Sequence, residues 1–449
     1  RVFVKKSAAG AGTGLSWNDA FTSIGTALEF AARNKVPEIW VAGETYFETI
    51  AVPDGVSLYG GFAGIETARD QRDWESFLTV LDGSTAIGGH RPAYHVVIGE
   101  GDAVLDGFTV TGGWARNPDG GAYTSPGRYG GGLFGFADGG RIANCLITGN
   151  AADSIGGGLA AQGAGSITLD NCVFESNYAS NSGGAWVYGD VVIADCQFRG
   201  NGPHALWLDS GSVELRDSIF VENDSALRLQ NIEGGVVERC QFIRNNSDGV
   251  VIYQGGAPTL TRFADCLFEE NLEGGLFASG ATVEIERCTF LNNRRDGGLR
   301  QSGGQMTLVD SVFRGNEDDW GGGASIGASW REQAVCTIVG CTFEENRAER
   351  GGAIAVGGTV EITVESGVFV KNEATTGGAV HMGYMDIVRF LDCVFRENQA
   401  QDAGGAIEAY QVPRVMGVAE PFVNCIFFRN VARVGGAIYA NECDLRYTN

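Results

Sequence analysis

The stretch Cys341-Thr-Phe-Glu-Glu-Asn346, continued by Arg347-Ala-Glu-Arg-Gly-Gly-Ala-Ile-Ala-Val356, decides the fold. Reduced to Cys-x-Phe-x-x-Asn, a short polar turn and Gly-Gly-Ala-Ile, it recurs in variant form from about Asn144 to the end of the chain. Its copies are anchored by Asn150, Asn177, Asn201, Asn223, Asn245, Asn271, Asn293, Asn316, Asn346, Asn372, Asn398 and Asn430, at intervals of 22 to 32 residues. A period of that length marks a solenoid, in which each unit buries its apolar face only against its neighbours.

Apolar residues alternate within each copy. Ile167 and Leu169 precede Cys172 and Phe174, and Val283 and Ile285 precede Cys288 and Phe290. Period two means strands with one buried face, and no copy has room for a helix of ordinary length. One strand follows Gly-Gly, one precedes the Cys and one runs through Cys-x-Phe, with glycines and asparagines at the corners. Strands that return after one such turn lie parallel, ~4.8 Å above their predecessors. The expected fold class is therefore all-β, a parallel β-helix of three-strand coils. Its phenylalanines form an interior aromatic column and its asparagines an amide ladder along one corner.

The slot two residues before each Phe, or before Ile147 in the first copy, holds Cys145, Cys172, Cys196, Cys240, Cys266, Cys288, Cys341, Cys393 and Cys425, but Ser218, Ser311 and Gly367 in three copies. It therefore wants a small residue. An in-line stack offers no tetrahedral ligand set, and parallel Cβ vectors disfavour disulfides, so these are read as buried free thiols. Cys336 and Cys443 fall outside the column, and a Cys336–Cys341 link stays open.

Glycine makes up 69 of 449 residues without a Gly-X-Y period, which excludes collagen. A formal charge of −23 disfavours nucleic acid and anionic membranes as partners. No stretch resembles a transmembrane span, so no direct membrane insertion is expected. The chain opens on Arg1 with no signal peptide and stops in mid-coil at Asp444-Leu-Arg-Tyr-Thr-Asn449, so a longer parent protein is expected.

Residues 1–37 read as an amino-terminal cap and 38–449 as the solenoid, with regular repeats from about 105. Ser16 and Asp19 resemble a capping box, and Trp17, Phe21, Ile24, Leu28 and Ala31 would share one face of a helix closed by Pro37. Glu38–Ala42 and Val56–Tyr59 are the first strands, and the polar excursion from Glu66 to Glu75 reads as a solvated flap.

This order resembles the pectin-lyase-like right-handed parallel β-helix superfamily. The Phe-x-x-Asn and Gly-Gly-Ala-(Ile/Val) repeats from Gly107 onward, with the opening Ser16-Trp-Asn-Asp-Ala-Phe21 and Tyr59-Gly-Gly-Phe-Ala-Gly64, are similar to those of bacterial surface proteins with polymorphic-outer-membrane-protein repeats. The resemblance implies a right-handed coil and a secreted or surface-displayed protein, bacterial in origin, with an adhesive or polysaccharide-contacting role.

Binding residues are sought in long loops and on the strand after Gly-Gly. The longest loop, Trp114 to Tyr129, carries Trp114, Arg116, Asp119, Tyr123, Arg128 and Tyr129; Ser329–Glu332 and Val412–Pro421 also stand out. If Ile354 and Val356 face in, an outward row holds Phe134, Ala160, Val187, Trp207, Arg228, Val251, Phe277, Arg300, Ala355, His381, Glu408 and Tyr439. A second row holds Asp209, Gln230, Tyr253, Ser279, Tyr410 and Asn441. Aromatic and Arg side chains at ~4.8 Å steps suit successive sugar rings. The glycan-contact candidates are therefore Trp114, Tyr123, Tyr129, Phe134, Trp207, Arg228, Tyr253, Phe277, Arg300 and Tyr439.

For catalysis, His381 beside Glu408 is the one adjacent acid–base pair, with Arg228 as a further candidate for lyase chemistry. Asp209 and Glu214 make a poor hydrolase pair. Glu317, Asp318 and Asp319 are the weak candidates for Ca²⁺, and no other cofactor is expected. The leading expectation is a non-catalytic module contacting a polysaccharide or cell-surface ligand. A polysaccharide lyase or hydrolase on the same sheet, and a fibre that self-associates end to end, are the alternatives.

Overall fold

A computed structural model describes residues 1–86, 88–89, 91–116, 126–255, 259–328, 333–358, 360–383, 387–410, 421–441, 443 and 447–448. The chain forms two compact units, Arg1–Leu227 and Arg228–Asn449. Each is a stack of coils whose strands pair in parallel with their counterparts one coil away. A representative coil runs through Ile354–Gly357, Val360–Glu365 and Val368–Val370 before the ladder asparagine, Asn372.

The columns read from the repeats are present in both units. In the first, Phe174, Phe198 and Phe220 are in register, with ring centroids 4.9 and 4.7 Å apart. In the second, Phe242, Phe268, Phe290, Phe313, Phe343, Phe369, Phe395 and Phe427 continue rung by rung. Their rings are nearly parallel, and Phe268 and Phe290 lie 4.4 Å apart.

Each ladder asparagine closes a fixed set of bonds. Asn346 donates its backbone N–H to Asn372 Oδ1 at 3.1 Å and its Nδ2 to Asn372 Oδ1 and the Phe313 carbonyl at 3.0 and 2.9 Å. A side-chain amide has two donors and one acceptor oxygen, enough to serve both neighbouring coils at once.

The cysteine slot is polar as well as small. Cys172 N–H points to Cys196 Sγ at 3.5 Å, Cys196 N–H donates to Ser218 Oγ at 3.1 Å, and Ser218 Oγ donates to the Arg216 carbonyl at 2.7 Å. Cys and Ser interchange there because both offer a weak acceptor to the preceding coil and a donor to a carbonyl. All eleven cysteines are free, including Cys336 and Cys341, and burial pushes the Cys341 thiol up to about 12.

The cap departs from expectation in two ways. The α-helix spans Ile24–Asn34, and its N-cap is Ser23. The Glu48 carboxylate accepts from the backbone N–H groups of Ile24 and Gly25 at 3.2 and 2.9 Å, where a helix N-terminus favours negative charge. Ser16 and Asp19 do bond to each other, with Asp19 N–H donating to Ser16 Oγ at 3.1 Å, but they close a turn outside the helix. Phe21 is held as a β-bridge to Val4, which prevents a helix from starting before it. Val2–Val4 itself pairs with Ile39–Val41, so a rung precedes the helix.

The excursion from Glu66 to Glu75 is largely exposed, as a solvated flap would be, but it is clamped at Arg72 and Glu66. Arg72 Nη2 meets Asp106 Oδ1 at 2.7 Å, both side chains under a tenth exposed, and its guanidinium lies 4.9 Å from the Trp74 ring. Glu66 accepts from the backbone of Ala63, Gly64 and Ile65.

Candidate functional site: the outer faces of the sheet

On the first unit, strand register sets Phe134, Ala160, Trp186 and Trp207 on one line on the outer side of the sheet, with Ala160 and Trp186 covered by their neighbours, and Tyr188 opposite Asp209 on the next. Val187 does not belong to this line. It pairs with Ala161 and Leu208 and is 1% exposed, so it faces the core. Ile155 pairs with Ser182 and Leu159 with Ala185, so three residues in one coil span what two glycines span in the next. That deletion shifts the alternation by one, and a shift of one turns every side chain to the other face.

The result is an aromatic platform whose central ring, Trp186, is only 7% exposed. Trp186 packs on Ile155 and Ala160, with Tyr129, Phe134 and Trp207 against it. Tyr129 and Tyr188 lie 5.9 and 6.2 Å from the Trp186 ring, and Tyr188 is 42% exposed. His95 stacks on Phe134 at 4.8 Å, and its Nδ1 bonds to the Gly130 carbonyl. Burial lowers the His95 pKa despite bonds to the Gly130 and Tyr129 backbone that favour protonation, so the platform carries no charge there at neutral pH. Sequence reasoning missed Trp186, Tyr188 and His95.

Trp114 lies elsewhere, on a corner strand in line with Ala151 and Tyr178, with the Arg116 guanidinium 4.7 Å from its ring. Tyr123 and Asp119 fall outside the described residues, as do Ser329–Glu332 and residues 412–420.

On the second unit, Val251, Phe277, Arg300, Ser325, Ala355, His381, Glu408 and Tyr439 share one line. The sequence row has this register, except that it omitted Ser325, but Val251, Ala355 and His381 are buried rather than exposed. The Arg228 guanidinium lies 5.1 Å from the Tyr253 ring, Tyr253 meets Phe277 edge-on at 5.7 Å, and Arg300 lies 5.7 Å from Phe277. Two adjoining rings are therefore flanked by a cation at each end of this strip. Arg300 is tied to Asp296 at 3.0 Å.

His381 Nδ1 and Glu408 Oε2 are 2.7 Å apart, as their coil positions implied. Both side chains are nearly covered, at 7% and 13% exposure, and the Trp320 ring stands edge-on 5.0 Å from the imidazole. Burial would raise the Glu408 pKa, but bonds from His381 and Thr376 and the charges of His381 and Arg350 hold it below the usual carboxylate range. The pair lies beneath the surface that a polymer would touch. Glu214 is tied to Arg216 on a separate strand from Asp209. Among the described residues no three His, Cys, Asp or Glu side chains converge as metal ligands, and Glu317, Asp318 and Asp319 are included in that statement.

Residues 131–282, 233–398 and 275–447 each match the family described as the right-handed beta helix region. The chain belongs to that family. Neighbours among solved structures include a double mutant of the periplasmic alginate epimerase AlgG, 10% identical, which covers 80% of this chain and 76% of its own with a TM-score of 0.42. Another is PfbA, a surface adhesin of Streptococcus pneumoniae, 9% identical, covering 98% and 93% with a TM-score of 0.33. No curated protein matches the sequence. No helix among the described residues is long and apolar enough to cross a membrane.

Proposed function

We propose that this right-handed β-helix is an extracellular or cell-surface module that contacts glycans without turning them over. The observation that carries the reading is the aromatic cluster of Tyr129, Phe134, Trp207 and the exposed Tyr188 packed around the buried Trp186 on the first unit. Aromatic faces bind the C–H faces of sugars while their polar tips reach hydroxyl groups, and parallel strands repeat them at ~4.8 Å. The strip from Arg228 through Tyr253 and Phe277 to Arg300 offers the same chemistry with added positive charge. The cover over His381 and Glu408 supports binding over turnover.

The test is a glycan panel probed with the full chain, read for binding and for new reducing or unsaturated ends. Tyr188→Ala with Trp207→Ala is expected to weaken binding at least about ten-fold, the scale of losing one or two stacked rings. Unchanged binding in that double variant would remove the platform as the contact. Products that vanish in His381→Ala would instead establish an enzyme, and end-to-end assembly without glycan binding would favour the fibre.

A further inference from the structure

The segment between each ladder asparagine and the next Gly-Gly lengthens along the second unit. Two residues separate Asn271 from Gly274, three separate Asn293 from Gly297, and four separate Asn316 from Gly321 and Asn346 from Gly351. The longer segments run as rungs of their own: Glu317 and Trp320 pair with Arg347 and Arg350, and Arg347–Arg350 pairs with Glu373–Thr376. Where short turns give way to long ones, the surface steps and leaves a notch of about 610 Å³. Arg294, Arg295 and Arg347 line it together with Glu317, Asp318, Asp319, Glu349 and the apolar Leu272 and Ala348.

Several arginines of the unit close onto acids of an adjoining coil, as in Arg287–Asp265 at 2.8 Å, Arg314–Glu344 at 2.9 Å and, on the wall of the notch itself, Arg347–Glu373 at 3.2 Å. Among the described residues, Arg294, Arg295, Glu317, Asp319 and Glu349 enter no ion pair, although they share one cavity. Two exposed guanidiniums and three carboxylates are thus held in one space without satisfying one another.

We propose that the notch binds a small zwitterionic ligand, whose oxyanion meets Arg294 and Arg295 and whose ammonium meets Glu317, Asp319 and Glu349. Guanidinium forks match a planar carboxylate in bidentate fashion, and an ammonium supplies three donors to facing carboxylates. A ligand with one charge satisfies one set and meets like charge on the other, so both charges are needed for discrimination. The volume lies in the range of small-ligand clefts. The site is separate from the aromatic platform and does not depend on it.

A dipeptide and a carboxylate-bearing amino sugar present this same chemistry, so calorimetry on the full chain should use glycylglycine and muramic acid as the two probes. Glucuronate and glucosamine serve as singly charged controls. At least one zwitterion is expected to bind about ten-fold or more tighter than both controls. Arg294→Ala with Arg295→Ala, and separately Glu317→Gln with Asp319→Asn, are each expected to lose about ten-fold or more. The unfolding midpoint and glycan binding at Tyr188 and Trp207 should stay unchanged in both. No binding of either zwitterion, binding no tighter than the controls, or binding untouched in both double variants overturns the proposal.

Discussion

A ladder asparagine makes more bonds than any other side chain of its copy. Asn346 Oδ1 accepts both the N–H and the Nδ2 of Asn316, each at 3.0 Å, while its own Nδ2 satisfies the Phe313 carbonyl. Asn346 is fully buried, so nothing replaces these bonds when the amide is removed. Asn346→Ala is therefore expected to cost about 3 kcal/mol, more than one ordinary hydrogen bond, because several groups lose their partners together. Urea unfolding gives the cost, and faster hydrogen exchange at Asn316 and Asn346 localises it. The columns of Asn and Phe were legible from spacing alone, since identical residues at one coil position must superpose. The hydrogen bonds of the Cys and Ser slot were not, because spacing reports size and only the paired backbone shows which N–H points at sulfur.

At the scale of elements, the corners decide what a coil exposes and how it titrates. The Asp248 carboxyl is pushed up to about 7 by burial and by the neighbouring Asp296 and Glu273, with Arg300 opposing. The Asp318 carboxyl is also pushed up to about 7, by burial and by Asp296, against the Asp319 and Trp320 backbone N–H groups and Arg300. A carboxyl whose folded pKa is raised contributes stability that is complete below its unfolded value, about 4, and is lost as pH rises through about 7. Stability of the second unit should thus carry a component that declines between pH 4 and 7. Asp248→Asn should flatten that decline, as read from unfolding midpoints across the range. A variant that declines as steeply as the parent would place the titration elsewhere. Sequence reading found the acidic turn at Glu317–Asp319 but not its connection with Asp248 and Asp296, which are brought together only by stacking.

At the scale of the molecule, each coil touches chiefly the coils before and after it, so damage should stay local. The Phe290 ring lies 4.4 and 4.5 Å from those of Phe268 and Phe313 and is fully buried. Phe290→Ala should cost about 3–5 kcal/mol, through lost burial and a cavity that strands cannot close. Hydrogen exchange should rise in the coils of Phe268, Phe290 and Phe313 and fade beyond them. A uniform rise across the second unit would show that its coils unfold as one block.

The sequence alone determined the parallel coil, its aromatic and amide columns, and the adjacency of His381 and Glu408. All three follow from a repeat that superposes on itself and from the two-residue period of a strand. Tertiary structure alone decided that Trp186 rather than Val187 faces out, that Trp320 covers the His381–Glu408 pair, and that Arg294 shares a notch with Asp319. The physical reason is common to these cases. Corners gain or lose single residues, and only the hydrogen-bonded register one coil away fixes where each following side chain points.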